Sequence, residues 1–165
     1  MAFCENSVRW LYVLDRNYSW ESGLDIHEDF AFKDKTGIVR LILEGGGRLT
    51  VTRGYAWNGC SPKVCLFDIL LGAPDGVVDS RTGRPKTYHA SLVHDALYQF
   101  VPDRLPLTRR QADGCFLRLM QETGFRPRAV YYVAVRLFGG VVRRATRHVR
   151  KTAGARIALA PEAVG

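Results

Sequence analysis

The chain has 165 residues, 47% hydrophobic and 24% charged, with a formal net charge of +8. That length suits one ordinary domain with a core of its own, and the composition excludes a disordered or collagen-like chain. The charge is uneven: residues 101–165 carry 13 basic and 4 acidic side chains against 11 and 12 in residues 1–100, so a polyanion-attracting segment lies in the C-terminal third.

The opening MAFCENSVRW has no basic region followed by an apolar run and no small-residue cleavage site, so no signal peptide is expected. Residues 8–14 (VRWLYVL) are β-branched and aromatic and read as a strand, although pattern alone also allows a helix start. Residues 38–43 and 48–53 flank Gly45, Gly46 and Gly47, which supply positive φ without steric cost, as a hairpin reversal demands. From Gly54 to Lys86 the chain is rich in Gly, Pro and Asp and reads as organised loop, with one short helix around Val64 to Leu71.

Thr87 to Phe100 places Leu92, Val93, Ala96, Leu97 and Phe100 at helical spacing, and Pro102 and Pro106 close that helix. Thr108, with Gln111 three residues later, forms a capping box ahead of the stripe Ala112, Cys115, Phe116, Leu119 and Met120, which runs to Gly124. Pro127 opens a third helix, Arg128 to Phe138; beyond Gly139 and Gly140 the basic run VVRRATRHVRK either continues it or starts anew. The fold class expected is α+β, with a domain over residues 1–150 and a frayed tail over 151–165. The longest apolar stretch, Ala129 to Val142, is broken by Arg136 and falls short of the ~20 residues of a membrane span.

Four cysteines (Cys4, Cys60, Cys65, Cys115) allow three pairings, and without an export signal reduced thiols are expected. Cys60 and Cys65 lack a matching second ligand pair, which disfavours zinc. Trp10, Trp20 and Trp57 read as core or interface anchors. Arg143, Arg144, Arg147, His148, Arg150 and Lys151 fall around a helix instead of along one stripe, as in a solvated basic end or a surface for lipid or a protein partner. Nucleic acid is less favoured, because no recognition motif or array of stacking aromatics accompanies the charge.

The residues suited to chemistry are His94, Asp95 and Asp113. His94 and Asp95 leave their helix about 100° apart, so each needs a partner from elsewhere. Asp113 comes 19 residues after His94, and a turn holding Pro102 and Pro106 brings it to face that histidine from the next, antiparallel helix. A histidine whose second ring nitrogen donates to a buried carboxylate is prepared as a general base for water. Asp95 is then free for a hard cation. Calcium needs six to eight oxygens, and the loop Trp57-Asn58-Gly59-Cys60-Ser61 can add turned carbonyls and the Asn58 side chain. The plainer alternatives are a capping carboxylate for Asp95 and an ion pair with Arg109 or Arg110 for Asp113. A metal-dependent phosphohydrolase built on the His-Asp doublet would need a separate upstream histidine, and His27 and His89 are poorly placed for it.

The order WNGCSP, then HDALY, then RRQAD with Cys115, Phe116 and Met120, resembles the secreted phospholipases A2, most of all their short prokaryotic form, over about residues 57–120. The same segments with PKTYHASLV and YYVAVRLFGG resemble, over roughly residues 38–140, an uncharacterised family of phage and prophage proteins carrying a domain of unknown function. The phospholipase resemblance implies His94 as base, Asp113 as its orienting carboxylate and Tyr98 as a supporting residue beside the pair. It implies Ca2+ held by Asp95, Asn58, Gly59 and Cys60, with Asn58 where the lipases favour aspartate. The implied function is a phage-encoded, calcium-dependent ester hydrolase acting on bacterial membrane lipid. It would work on the virion tail or in the host bacterial cytoplasm, with a phospholipid surface or other virion proteins as partners. A non-catalytic virion or accessory protein on the same scaffold and a basic polyanion-binding protein are the alternative readings.

Overall fold

The structure is a computed structural model that describes residues 12–60, 64–66, 69–71, 77–100 and 107–147. Among these, short strands precede three helices, the α+β order expected from the sequence. The strands are β1 (Tyr12–Val13), β2 (Tyr18–Glu21), β3 (Phe30–Lys33), β4 (Val39–Leu43), β5 (Arg48–Val51), β6 (Ala56–Trp57), β7 (Val64–Leu66) and β8 (Ile69–Leu71). The helices are α1 (Tyr88–Phe100), α2 (Arg109–Glu122) and α3 (Arg128–Arg147).

The glycine-centred hairpin is present. β4 and β5 pair antiparallel with Leu41 opposite Val51 and Leu43 opposite Leu49, and all four side chains are buried. Alternate strand residues share a face, so this register gives the sheet one apolar side. Gly46 and Gly47 take φ of 92° and 93°. A Cβ on Gly47 would collide with the Leu24 carbonyl, which leaves only glycine at that position. β2 and β3, which the sequence pattern does not single out, extend the sheet to the order β2-β5-β4-β3.

Of the strand expected over residues 8–14, Tyr12–Val13 forms β1 and pairs with β6, while residues 8–11 lie outside the described residues. This pairing gathers Tyr12, Trp57 and Tyr88, whose ring centroids lie 4.9–5.3 Å apart. Trp57 is thus a core anchor, and Trp20 packs at the core's margin. The short helix expected around Val64 to Leu71 is not formed. Val64–Leu66 and Ile69–Leu71 pair antiparallel as β7 and β8, with Leu66 opposite Ile69. An apolar run this short cannot offset the cost of helix nucleation, and its ends close on each other through strand bonds instead.

The helices follow their apolar stripes. Leu92, Val93, Ala96, Leu97 and Phe100 of α1 and Ala112, Cys115, Phe116, Leu119 and Met120 of α2 are all buried in one core. Thr108 caps α2 with the full reciprocal box to Gln111. Gly124, at φ 63°, ends it: Phe125 N–H donates to Met120 C=O and Gly124 N–H to Gln121 C=O, a Schellman closure. The question left open at Gly139-Gly140 is answered by a backbone that stays helical through both glycines to Arg147. His148, Arg150, Lys151 and the expected frayed tail lie outside the described residues.

Strands and helices join through several contacts. Phe32 of β3 meets Phe100 of α1 at 5.4 Å between ring centroids. Trp20 of β2 donates its indole N–H to the Glu122 carboxylate at 3.0 Å, while Arg118 of α2 donates to the Ser22 carbonyl.

Candidate active site

α1 and α2 run antiparallel, because Tyr98 meets Arg109 while His94, one turn earlier, meets Asp113, one turn later. This pairing brings three of the residues singled out in the sequence onto one carboxylate. Asp113 is fully buried; its Oδ1 lies 3.1 Å from His94 Nε2 and accepts the Tyr98 hydroxyl at 2.5 Å. Its Oδ2 accepts Arg136 Nη1 from α3 at 3.0 Å, and Arg109 Nε stands 3.7 Å away.

Burial pushes the Asp113 carboxyl up, but the bonds from His94, Tyr98 and Arg136 outweigh it and hold the group below its ordinary range. An ionised carboxylate only accepts hydrogen bonds, so His94 Nε2 must carry the hydrogen in this contact. The lone pair of a neutral His94 then sits on Nδ1. The ring packs between Tyr98 and Phe116, with centroids 4.1 and 4.8 Å away, and only 7% of the side chain is exposed. Burial and the nearby carboxylate hold the Tyr98 phenol well above its usual range, which keeps it protonated and donating.

The sequence pattern did not single out Arg136 as part of this cluster. Its signal was the interruption of the apolar run Ala129 to Val142 by one arginine beside buried Val135. Arg109 was foreseen as an ion-pair partner and does more than that. Its Nε donates to the Tyr98 hydroxyl at 2.8 Å, and Nη2 donates to the Val135 and Arg136 carbonyls at 2.8 and 2.7 Å. Those bonds tie α3 to the end of the α1–α2 pair where α1 finishes and α2 begins. No buried side-chain nitrogen or oxygen among the described residues lacks a partner.

Asp95 is not part of this cluster. It is half-buried and shares a face of α1 with Ser91, one turn earlier. Trp57 donates its indole N–H to Ser91 Oγ at 3.2 Å, which brings the start of the Trp57–Cys60 loop to that region of α1. Gly59 turns the loop at φ 75°, with Gly59 and Cys60 buried and Asn58 half-buried. Among the described residues no cluster of three or more His, Cys, Asp or Glu could hold a metal ion. A cation here would therefore rely on one carboxylate plus amide and backbone oxygens. Those are hard donors of the kind calcium takes, with a low total charge. Cys60 and Cys115 are buried, and burial pushes the Cys115 thiol up to about 11, so it is not a nucleophile near neutral pH.

The fold and this cluster define a class: an α+β protein whose first two helices meet on a buried carboxylate shared by a histidine, a tyrosine and arginine. Residues 76–135 match the family model described as a protein of unknown function (DUF1353), which fits the resemblance of the HDALY and RRQAD segments to an uncharacterised domain of unknown function. The match takes in α1 and α2, with His94, Tyr98, Arg109 and Asp113, and ends one residue before Arg136. No curated protein and no solved structure matches the chain.

Proposed function

We propose that this protein is a phospholipase-A2-like, calcium-dependent ester hydrolase acting on bacterial membrane lipid, encoded by a phage and carried on the virion tail. The observation that carries the reading is the single buried carboxylate of Asp113 gripping both His94 Nε2 and the Tyr98 hydroxyl. In this reading Nδ1 of His94 draws the proton from a water that attacks the ester carbonyl. Asp113 holds the ring in the required tautomer and stabilises the imidazolium that forms. Tyr98 and Arg109 keep the carboxylate from turning away. Asp95, Asn58 and the carbonyls of Gly59 and Cys60 would hold Ca2+, which when bound supplies positive charge for the developing oxyanion.

A lipid surface as partner draws support from α3, where Val130, Val133 and Leu137 are exposed at helical spacing beside the exposed Arg128 and Arg136. An apolar stripe edged by arginines suits an anionic membrane interface.

The test is hydrolysis of phospholipid vesicles with calcium or with chelator, for the native chain and for His94→Ala. Calcium-dependent release of fatty acid by the native chain alone supports the reading, and equal background from both chains removes it. A second reading, a non-catalytic virion or accessory protein, is favoured by the two arginines on Asp113 and the near-complete burial of His94, features of a structural ion cluster. Fixed copy number in purified particles without hydrolysis would select it.

A further inference from the structure

His89 lies on the same helix as His94 but five residues earlier, about 140° around its axis. On that side of α1 the structure opens a cleft of about 480 Å³ between the β1–β2 link and the loop that enters α1. Its walls include Arg16, Asn17, Tyr18, Thr82, Arg84 and His89, and none of the residues around Asp113.

The polar groups here are overwhelmingly donors. Arg16 is exposed and has no carboxylate within 4.0 Å among the described residues. Arg84 lies with its Cζ 4.6 Å from the centre of the Tyr88 ring. Asn17 has its side-chain oxygen occupied by the Arg53 N–H at 2.8 Å, so its amide hydrogens are what it can offer a ligand. Thr82 Oγ1 accepts the Arg84 N–H at 3.3 Å, which leaves its hydroxyl hydrogen to donate elsewhere. The floor is His89 stacked flat on Tyr18, at 4.2 Å and 6°. The one acidic group is Asp15, whose carboxylate reaches Arg84 Nη2 only at 3.5 Å and is itself largely exposed.

Two guanidiniums from separate segments, with an amide and a hydroxyl lining the same cleft, suit an anion that accepts from several directions. A phosphate group does this, where a carboxylate offers only two oxygens. We propose that this cleft binds a phosphate group, as inorganic phosphate, a phosphomonoester or a lipid headgroup, through Arg16 and Arg84. Asp15 occupies part of the place the phosphate takes and is displaced from Arg84 when it binds. The positive field of the cleft is already felt by His89, which burial and then Arg84 and Arg16 hold below the ordinary histidine value. The proposal does not rest on the hydrolase reading, since it shares no residue with the His94–Asp113 cluster.

The experiment is an NMR titration of the full chain with inorganic phosphate, with glycerol phosphate and with vesicles containing phosphatidic acid. Chloride at matched ionic strength is the control. Saturable shifts at Arg16, Arg84 and His89 are expected from phosphate-bearing probes and not from chloride. The His89 titration midpoint, set by Arg16, Asp15 and Tyr18 from one side and by Arg84 and Tyr88 from the other, should rise at saturation, because the anion offsets the guanidiniums. Arg16→Gln, a change at an exposed side chain, should weaken binding about tenfold or more, and Asp15→Asn should tighten it a few-fold. Response to the soluble phosphates assigns a free ligand, and response to the vesicles alone assigns the headgroup. No saturable shift with any probe, the same shifts with chloride, or unchanged affinity in Arg16→Gln would overturn the site. His94→Ala should bind phosphate as the native chain does, which keeps this outcome separate from that of the hydrolysis test.

Discussion

Arg136 of α3 reaches back to Asp113 of α2, with Nη1 3.0 Å from Oδ2, and so ties the third helix to the carboxylate that the first helix also holds. Asp113 therefore has two duties. It orients His94, and it is the point where three helices are joined by charge-assisted bonds.

Asp113→Asn keeps the shape but offers one acceptor oxygen to partners that now use two, and it turns an amide toward donors. Removing one member of a buried ionic cluster costs about 3–5 kcal/mol. Urea denaturation should show a loss of that size, and a variant as stable as the native chain would mean the cluster contributes nothing to folding.

The pH dependence follows from the depressed Asp113 carboxyl. Its contribution to stability is present above the unfolded-state value of about 3.9 and is lost as pH falls through the lower folded value. Arg136→Gln removes one of the bonds that depress it. The melting-temperature gap between this variant and the native chain should be widest near neutral pH and should close in strong acid. A gap that grows in acid would contradict this account.

Tyr98→Phe retains the ring but leaves Asp113 Oδ1 without its hydroxyl donor and Arg109 Nε without its acceptor. We expect a loss of about 1–3 kcal/mol. Under the proposed hydrolase function, this variant should retain more vesicle hydrolysis than His94→Ala, which as loss of the proposed general base should cost about 10²- to 10⁴-fold. Equal activities in the two variants would place Tyr98 on a par with the base itself.

Ser91→Ala leaves the Trp57 indole N–H without its acceptor in the core. The cost expected is about 1–3 kcal/mol. Because the same bond holds the Trp57–Cys60 loop to α1, the proposed calcium-dependent hydrolysis should also need more calcium for its half-maximal rate. Tryptophan fluorescence on denaturation reads the first effect and a calcium series reads the second.

Gly47→Ala combines a left-handed backbone at φ 93° with a collision against the Leu24 carbonyl. Strain of this kind costs about 1–3 kcal/mol before any clash is relieved. Gly46→Ala, with nothing near its missing Cβ, should cost less. Thermal melts of the pair separate the two contributions.

Much of the helical half was legible because its signals are local. The stripe Ala112, Cys115, Phe116, Leu119 and Met120 has one period, and Thr108 and Gly124 mark its ends with side-chain and backbone chemistry that acts within four residues. His94 and Asp113 could be placed together because a short proline-bearing link in the sequence leaves antiparallel helices few ways to meet. The strands gave weaker signals. β2 and β3 are four residues each and owe their existence to partners already in the sheet, and the residues of β7 and β8 suit a helix turn as well as a strand pair. Arg136 was visible only as an interruption, since the carboxylate it serves lies on another helix, 23 residues back.

That separation also bears on the order in which the molecule can assemble. Arg136 closes a loop of 23 residues onto Asp113, whereas the Trp20–Glu122 contact that docks the sheet on α2 spans 102. Chain-closure entropy alone favours the shorter loop by about 1.3 kcal/mol. By that measure the helices gather around their shared carboxylate before the β2 edge of the sheet settles on α2.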